Sequence, residues 1–366
     1  MTHRERLLAP FKGITPDQPA WLADLGYWYP AMKDRGLLEP QYQDPDGYLQ
    51  LHADLGVCAY YGQGGSTFAR RQDGVEAGSH EDGGVRIRWW RTPLGEISNR
   101  YEFIPTSHSW AHVEYAVKSL DDLRVVQDIY ARTSIEPNYE PFISQSERLG
   151  DAGLPISPAP RSPVPALMTD WCGVVTTSYL LADELAAIED TLALIDQSSD
   201  AAIEAMCESP AELFHFADNL DSNNYTSLFE PYMEEYYRRR LGQVHAAGKF
   251  AVTHLDGAVR GLLPRLADVG FDGVEAITTG PVGDVEIEEL RELCGEHDTI
   301  IWGGVPGAMF SPPWTAAQIR ENTVRLLDEM APDNRLIVGS ADQIPPDGDI
   351  EFCGVVADTI TERVRG

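Results

Sequence analysis

The sequence predicts an α/β protein, a (β/α)8 TIM barrel carrying an amino-terminal helical and β-hairpin extension. Between Gly248 and Pro346, four short apolar runs (KFAVTHLDG, FDGVEAITT, TIIWGGVPG and RLIVGSADQIPP) each end in polar or glycine-rich residues. Runs rich in Val, Ile, Ala and Phe are what strands covered by helices require. The spacing from His254 to Glu275, and from there to Trp302, fits one strand, one helix and two loops. Right-handed crossovers repeated in this way close most naturally into a barrel. A doubly wound open sheet is the alternative, but no G-x-G-x-x-G or G-x-x-x-x-G-K-[ST] follows any strand.

The elements follow in order. Residues 1 to about 45 hold an amphipathic start, a PDQPAW segment and an aromatic cluster (Trp21, Tyr27, Trp28, Tyr29), which together predict a helical cap. VRIRWWRTPLGEISNRYEF (85–103) alternates apolar and polar residues around Thr92-Pro93-Leu94-Gly95, the pattern of an antiparallel hairpin. LDDLRVVQDIYAR (120–132) has helical spacing, and the proline-rich GLPISPAPRSPVP (153–165) is expected to be an exposed connector. ALMTDWCGV (166–174) and AELFHFADNL (211–220) are expected strands, and SLFEPYMEEYYRRRLGQVHAAG (227–248) one long helix closed by Gly248. The expectation is a single domain spanning 1–366. Its extension occupies about 1–110, and its regular βα units run over about 166–366.

Composition narrows the function. A net charge of −30 disfavours direct nucleic-acid binding, because phosphates would meet long-range repulsion. Only four lysines (Lys12, Lys33, Lys118, Lys249) accompany this acidity, a surface suited to concentrated salt. Five scattered cysteines (Cys58, Cys172, Cys207, Cys294, Cys353) form no C-x-x-C pair, so reduced thiols are expected rather than a disulfide or cysteine-zinc framework. No apolar run approaches the roughly 20 residues that span a bilayer, and MTHRERLLAPFKG lacks a signal-like apolar region. The expectation is a cytoplasmic protein with no membrane or nucleic-acid partner.

Functional residues of such units collect at the carboxyl ends of the strands. Thr253, His254, Asp256, Glu275, Ser340 and Asp342 all fall there. His254 and Asp256 lie two apart, so an extended backbone points both to one side. Glu275 ends the next strand, about 4.8 Å away. One imidazole and two carboxylates can form a metal shell (His254, Asp256, Glu275) with open positions for substrate. They can equally serve metal-free acid–base chemistry, or structure, with Asp256 capping the helix that follows. Asp218 and Asn219 in FADNL, and Asp342 in GSADQIPP, are further candidates at the same mouth. Trp302, Gly303 and Gly304 in IWGGVPG, together with Trp89, are candidate substrate contacts. Trp90 and Trp110 share the hairpin region with Trp89, and all three could wall the pocket, although aromatic residues there more often pack.

MTHRERLLAPFKG, PDQPAW, the RTPLGE turn, YAVKSLDDL, the H-x-D-G after HAAGKF, EAITTGPVGDV, IWGGVP and GSADQIPPDGD resemble the uroporphyrinogen decarboxylase-like superfamily over nearly the whole chain. That resemblance implies a (β/α)8 barrel and two branches, cofactor-free porphyrinogen decarboxylases and metal-using methyltransferases of corrinoid or thiol pathways. The decarboxylases carry an amino-terminal R-Q-A-G-R segment, whereas PAWLADLGYWYP here holds no arginine. The thiol methyltransferases hold zinc with H-x-C and a later cysteine. Here Asp256 stands in the H-x-C position, and Gly339-Ser340-Ala341-Asp342 holds no cysteine. Hard oxygen donors thus replace the soft ligands that suit thiolate activation.

The resemblance therefore implies a metal-assisted methyltransferase or demethylase acting on a small molecule. The metal would be divalent, zinc foremost, with a corrinoid as methyl donor or acceptor, a corrinoid protein as partner, and a homodimer as the assembly. The alternatives are a metal-free decarboxylase or lyase using Arg88, Arg91, Arg100 or Arg260 on a small carboxylated substrate, and a non-catalytic barrel that binds a corrinoid or another small molecule.

Overall fold

A computed structural model of the chain describes residues 1–331 and 334–365. After β1 (Trp21–Leu22) the chain makes a long excursion through β2 (Phe68–Gln72), β3 (Glu76–Asp82), β4 (Val85–Thr92), β5 (Gly95–Ile104), β6 (Ser109–Glu114), the helix Leu120–Ala131 and β7 (Thr133–Pro137). It then returns to β8 (Ser157–Pro158), β9 (Leu213–Leu220), β10 (Phe250–Leu255), β11 (Gly273–Ile277), β12 (Ile300–Pro306) and β13 (Leu336–Ala341). These strands build one parallel sheet in the order β1-β13-β12-β11-β10-β9-β8, with helices between successive strands from β9 onward. Strands β11, β12 and β13 are buried at every residue, as their unbroken apolar runs require.

The two edges of the sheet are both bonded by one irregular segment. Cys58 N–H donates to the Trp21 carbonyl at 2.8 Å, Leu154 N–H to the Ala59 carbonyl at 3.0 Å, and Gly65 N–H to the Ile156 carbonyl at 2.7 Å. Beneath the sheet, Leu7, Leu8 and Phe11 pack with Val252, Ile300, Trp302 and Ile337 and close the floor. Among the described residues, no helix is long and apolar enough to cross a membrane.

Three sequence expectations are corrected. Residues 153–165 are not an exposed connector: they carry β8, which pairs with β9, and Leu154, Ser157, Ser162 and Val164 are buried. Short strands rich in proline are invisible to an alternation pattern. Residues 166–174 are helical, with a π-helical turn over Ala166–Cys172, because the apolar run there packs against the helix Leu120–Ala131 rather than into the sheet. The expected long helix of 227–248 is two helices, Ser222–Tyr232 and Glu234–Ala246, parted at Met233 just after Pro231, which lacks the N–H an unbroken helix needs.

The hairpin of 85–103 is present, turning at Thr92–Gly95 as the middle of a four-stranded antiparallel sheet, β3-β4-β5-β6. This sheet packs on the helical segment around Asp170 and Trp171. Asn99 on β5 donates to the Asp170 carbonyl at 2.9 Å, and Trp90 packs edge-on against Trp171 at 4.9 Å. At the β5–β6 turn, Ser109 lies near the Tyr27 hydroxyl and His108 is 3.4 Å from Asp34.

Candidate active site

His254 and Glu275 are register partners on the adjacent parallel strands β10 and β11. Their side chains meet: His254 Nδ1 is 2.5 Å from Glu275 Oε2. Glu275 is 1% exposed. Its other oxygen accepts the Tyr61 hydroxyl at 2.5 Å, and His215 Nε2 lies 3.5 Å from Oε2. Tyr60 in turn contacts His215 Nδ1 at 3.1 Å. A buried acid is thus gripped by two imidazoles and a phenol. Burial alone would raise the Glu275 carboxyl, but His254 and His215 outweigh it and hold it well below the usual range. Burial likewise disfavours the His254 imidazolium, yet Glu275, Asp342 and Asp256 together push it up to about 9.

The opposite edge of the His254 ring faces acids. Its Nε2 is 3.9 Å from Asp342 Oδ1, and ligand atoms of His254, Asp256 and Asp342 all lie within 4.8 Å of one another. No hydrogen bond reaches the Asp256 or Asp342 carboxylate among the described residues. Asp256 does not cap the helix Leu263–Val269, which has no side-chain cap; the turn ahead of it is held by Asp284, which accepts from Val259 N–H at 2.7 Å and Arg260 N–H at 3.3 Å. Asp256 is therefore exposed and available at the mouth.

Asp24, two residues after β1, completes the cluster. Its Oδ1 accepts from Gly26 N–H at 2.7 Å, while its own N–H donates to Ser340 Oγ at 2.8 Å. Burial first, then the charges of Asp342 and Glu275, push its carboxyl up to about 7. Asp342 is raised to about 6, mostly by burial, with His254 opposing. Above these acids, Tyr27 senses Asp342, Asp256 and Asp24, although burial does most to raise its hydroxyl.

The other sequence candidates sit elsewhere. Asp218 is fully buried and turned toward the helix Glu234–Ala246. It accepts from Ser162 N–H at 2.9 Å, Ser162 Oγ at 2.6 Å and Tyr237 OH at 2.9 Å. It ties β9 to the segment after β8 and is not among the ligand groups around His254. Asp218→Ala should lower unfolding free energy by about 3 kcal/mol, since it strands buried donors, and should leave metal uptake at His254 unchanged. Denaturant melts and metal titration check both. Asn219 is exposed with φ 52° beside the β9 irregularity.

Trp302, Gly303 and Gly304 do not form a substrate wall. Trp302 is fully buried, with its ring 4.8 Å from Tyr60. A Cβ at Gly303 would fall 2.6 Å from the Ile277 backbone, and one at Gly304 would fall 2.6 Å from Leu326, so both glycines serve packing. Trp89 lies on the face of β4 opposite Trp90, against Gly78 and under Arg91. Strand alternation accounts for it, since Trp90 is the residue that enters the core.

Of the four arginines offered for a decarboxylase, Arg91, Arg100 and Arg260 are held in exposed ion pairs, while Arg88 is exposed over Tyr101. Sequence reasoning missed Asp24, Tyr61, His215 and Arg161. The motif WLAD in fact repeats the pattern of an apolar run ending in an acid, shortened to two strand residues.

Residues 166–363 match the family model for uroporphyrinogen decarboxylase (URO-D). The chain belongs to that family. Among solved structures it is similar to a methyltransferase from Methanosarcina mazei, at 16% identity and a TM-score of 0.61, covering 99% of each chain. No curated protein matches it.

Proposed function

We propose that the chain is a methyl-transfer enzyme acting on a small molecule, with a divalent cation held by His254 Nε2, Asp256 and Asp342. The observation that carries this reading is the meeting of three ligand groups at the ends of β10 and β13, two of them carboxylates with no hydrogen bond of their own. The donor set fits a metal. Four acids (Asp24, Asp256, Glu275, Asp342) surround one strongly basic imidazole, and a cation would relieve their repulsion. In this reading Glu275, a ligand by sequence spacing and a member of a second group that could hold a metal, His215, His254 and Glu275, stands behind the ring. Its bond to Nδ1 fixes the tautomer that presents Nε2, as carboxylate partners of metal-bound histidines do. One nitrogen and two oxygens suit zinc, manganese or iron(II).

The bound cation would supply Lewis acidity for a leaving or accepting atom of the substrate. The chain's own residues do the rest. Asp24, poised near neutrality, holds or releases a proton beside the cluster. Tyr27 and the β5–β6 turn cover the mouth and limit water. The M. mazei structure of similar fold supports methyl transfer as the reaction class. A corrinoid protein as methyl carrier and a cytoplasmic setting with reduced thiols belong to the same reading. So does closure of the sheet into an eight-position barrel, in which Cys58–Gly65 fills the eighth place.

Chelator-stripped protein titrated calorimetrically with Zn2+ or Mn2+ should bind about one equivalent. Asp256→Ala and Asp342→Ala should each weaken binding by more than about tenfold, the 1.4 kcal/mol scale of one good contact. Less than about a tenth of an equivalent bound by the wild type would sink the metal reading.

A further inference from the structure

The chain holds 28 lysines and arginines against 58 carboxylates. In such a molecule nearly every guanidinium finds an acid or a carbonyl, and the exceptions are informative. Among the described residues Arg70, Arg88, Arg265 and Arg365 have neither hydrogen bond nor ion pair, and Arg161 meets only Asp170, at 3.5 Å. Arg265 lies over the Phe229 ring. Arg161 and Arg70 both act on the Asp170 carboxyl and Arg88 acts on His112; Arg70 and Arg88 are exposed, so Arg161 is the one with a bare buried donor.

Arg161 follows the carboxyl end of β8. Its Nε is 3.5 Å from Asp170 Oδ2, and its Nη1 is buried with no partner. Arg70, on β2, acts on the same Asp170 carboxyl. Arg88, on β4, lies 5.5 Å over Tyr101, and its charge is felt by His112. The His112 Nε2 is itself buried without a partner, in a ring packed 3.7 Å from Tyr115.

Donors left bare and buried cost free energy that a ligand can recover. The planar guanidinium fork suits the two oxygens of a carboxylate. Three cations against two acids, Asp170 and Asp218, leave a small positive surplus, and the −30 field of the whole molecule disfavours polyanions. We propose that this cluster, led by Arg161, anchors the carboxylate of a small monoanionic substrate whose other end reaches the His254 cluster. Strands β8, β9 and β10 are consecutive neighbours, so the two ends lie roughly 10 Å apart at about 4.8 Å per strand. That span suits a single ring bearing its carboxylate and its reacting group at opposite positions. Which end reacts rests on the methyl-transfer reading; the anion site itself does not.

The test uses 4-methoxybenzoate and, as its uncharged counterpart, 4-methoxybenzamide, titrated calorimetrically into the full-length protein. The wild type should prefer the carboxylate by at least about tenfold, the scale of a charge-assisted contact. Arg161→Gln should abolish the preference, Arg161→Lys should keep part of it, and Arg70→Gln should reduce it by roughly threefold. Metal content measured on the same samples should stay constant. Absence of preference in the wild type would overturn the proposal, as would full preference in a folded Arg161→Gln. Should Arg161→Gln fail to fold, an undiminished preference in both Arg161→Lys and Arg70→Gln would overturn it. Carboxylate preference without any metal uptake would defeat the methyl-transfer reading alone, and metal uptake without preference would defeat only the anion site.

Discussion

Replacing Glu275 with glutamine is expected to cost about 3–5 kcal/mol of stability, the range for breaking a buried ion pair, and to weaken metal binding by about 10–100-fold. The first effect follows from burial: the carboxylate is 1% exposed and meets His254, His215 and Tyr61. An amide there keeps the shape but loses the charge that balances the imidazolium, and it offers an N–H where acceptors are needed. The second effect follows from the tautomer, since without a carboxylate at Nδ1 the ring is free to turn its N–H toward Asp342. Urea denaturation in chelator separates the first effect from the second, which is read by metal titration. A loss of metal affinity with unchanged stability would mean that Glu275 is not the buried keystone its contacts describe.

A second large effect is expected in the pH dependence of the metal-free protein. His254 rises from 6.5 to about 9, so the folded state holds its proton more tightly than the unfolded chain. The stability this confers is fully present below pH 6.5 and is lost as pH climbs through 9. The shift corresponds to roughly 3 kcal/mol. Asp342 and Asp24, raised from 3.8 to about 6 and about 7, act with the same sign over lower windows. Glu275 acts oppositely, giving stability above its ordinary 4.5 that is lost only in acid. Because His254 and Glu275 share one interaction, their contributions are counted once.

Stability should therefore fall between pH 6.5 and 9 in chelator, and most of the fall above pH 7 should vanish in His254→Gln. A divalent cation should flatten the same limb, because it binds once those protons have left. An unchanged slope in His254→Gln, followed by urea midpoints across this range, would rule out the assignment.

The late strands were legible because each is long enough to show an apolar run and each ends in its own polar residues. The same reading brought His254, Asp256, Glu275 and Asp342 to one mouth. It could not sort them, because which edge of an imidazole faces which acid depends on the β10–β11 register and on the turn that Asp284 holds, neither of which a run of residues declares. Asp24 and Arg161 escaped for a simpler reason: β1 and β8 are two residues long, and strands that short have no period. Asp218 misled because a polar residue at a strand end looks the same whether it faces the lumen or the helix layer. The irregularity of β9 between the partners of Thr253 and Leu255 settles that orientation.

The excursion leaves and re-enters through β2 and β7, an antiparallel pair in which Phe68 stands opposite Pro137. Its two points of attachment are thus separated by about one strand spacing, near 5 Å. A block of this kind can be cut out and rejoined, or exchanged for another, across a gap that one or two residues span. Arg70 and Arg88 travel with the block, whereas Arg161, His254, Asp256 and Asp342 stay behind. Part of the proposed anion grip is thus carried by a separable stretch while the His254 cluster is not, so exchanging the block would retune the grip and leave the reactive residues in place.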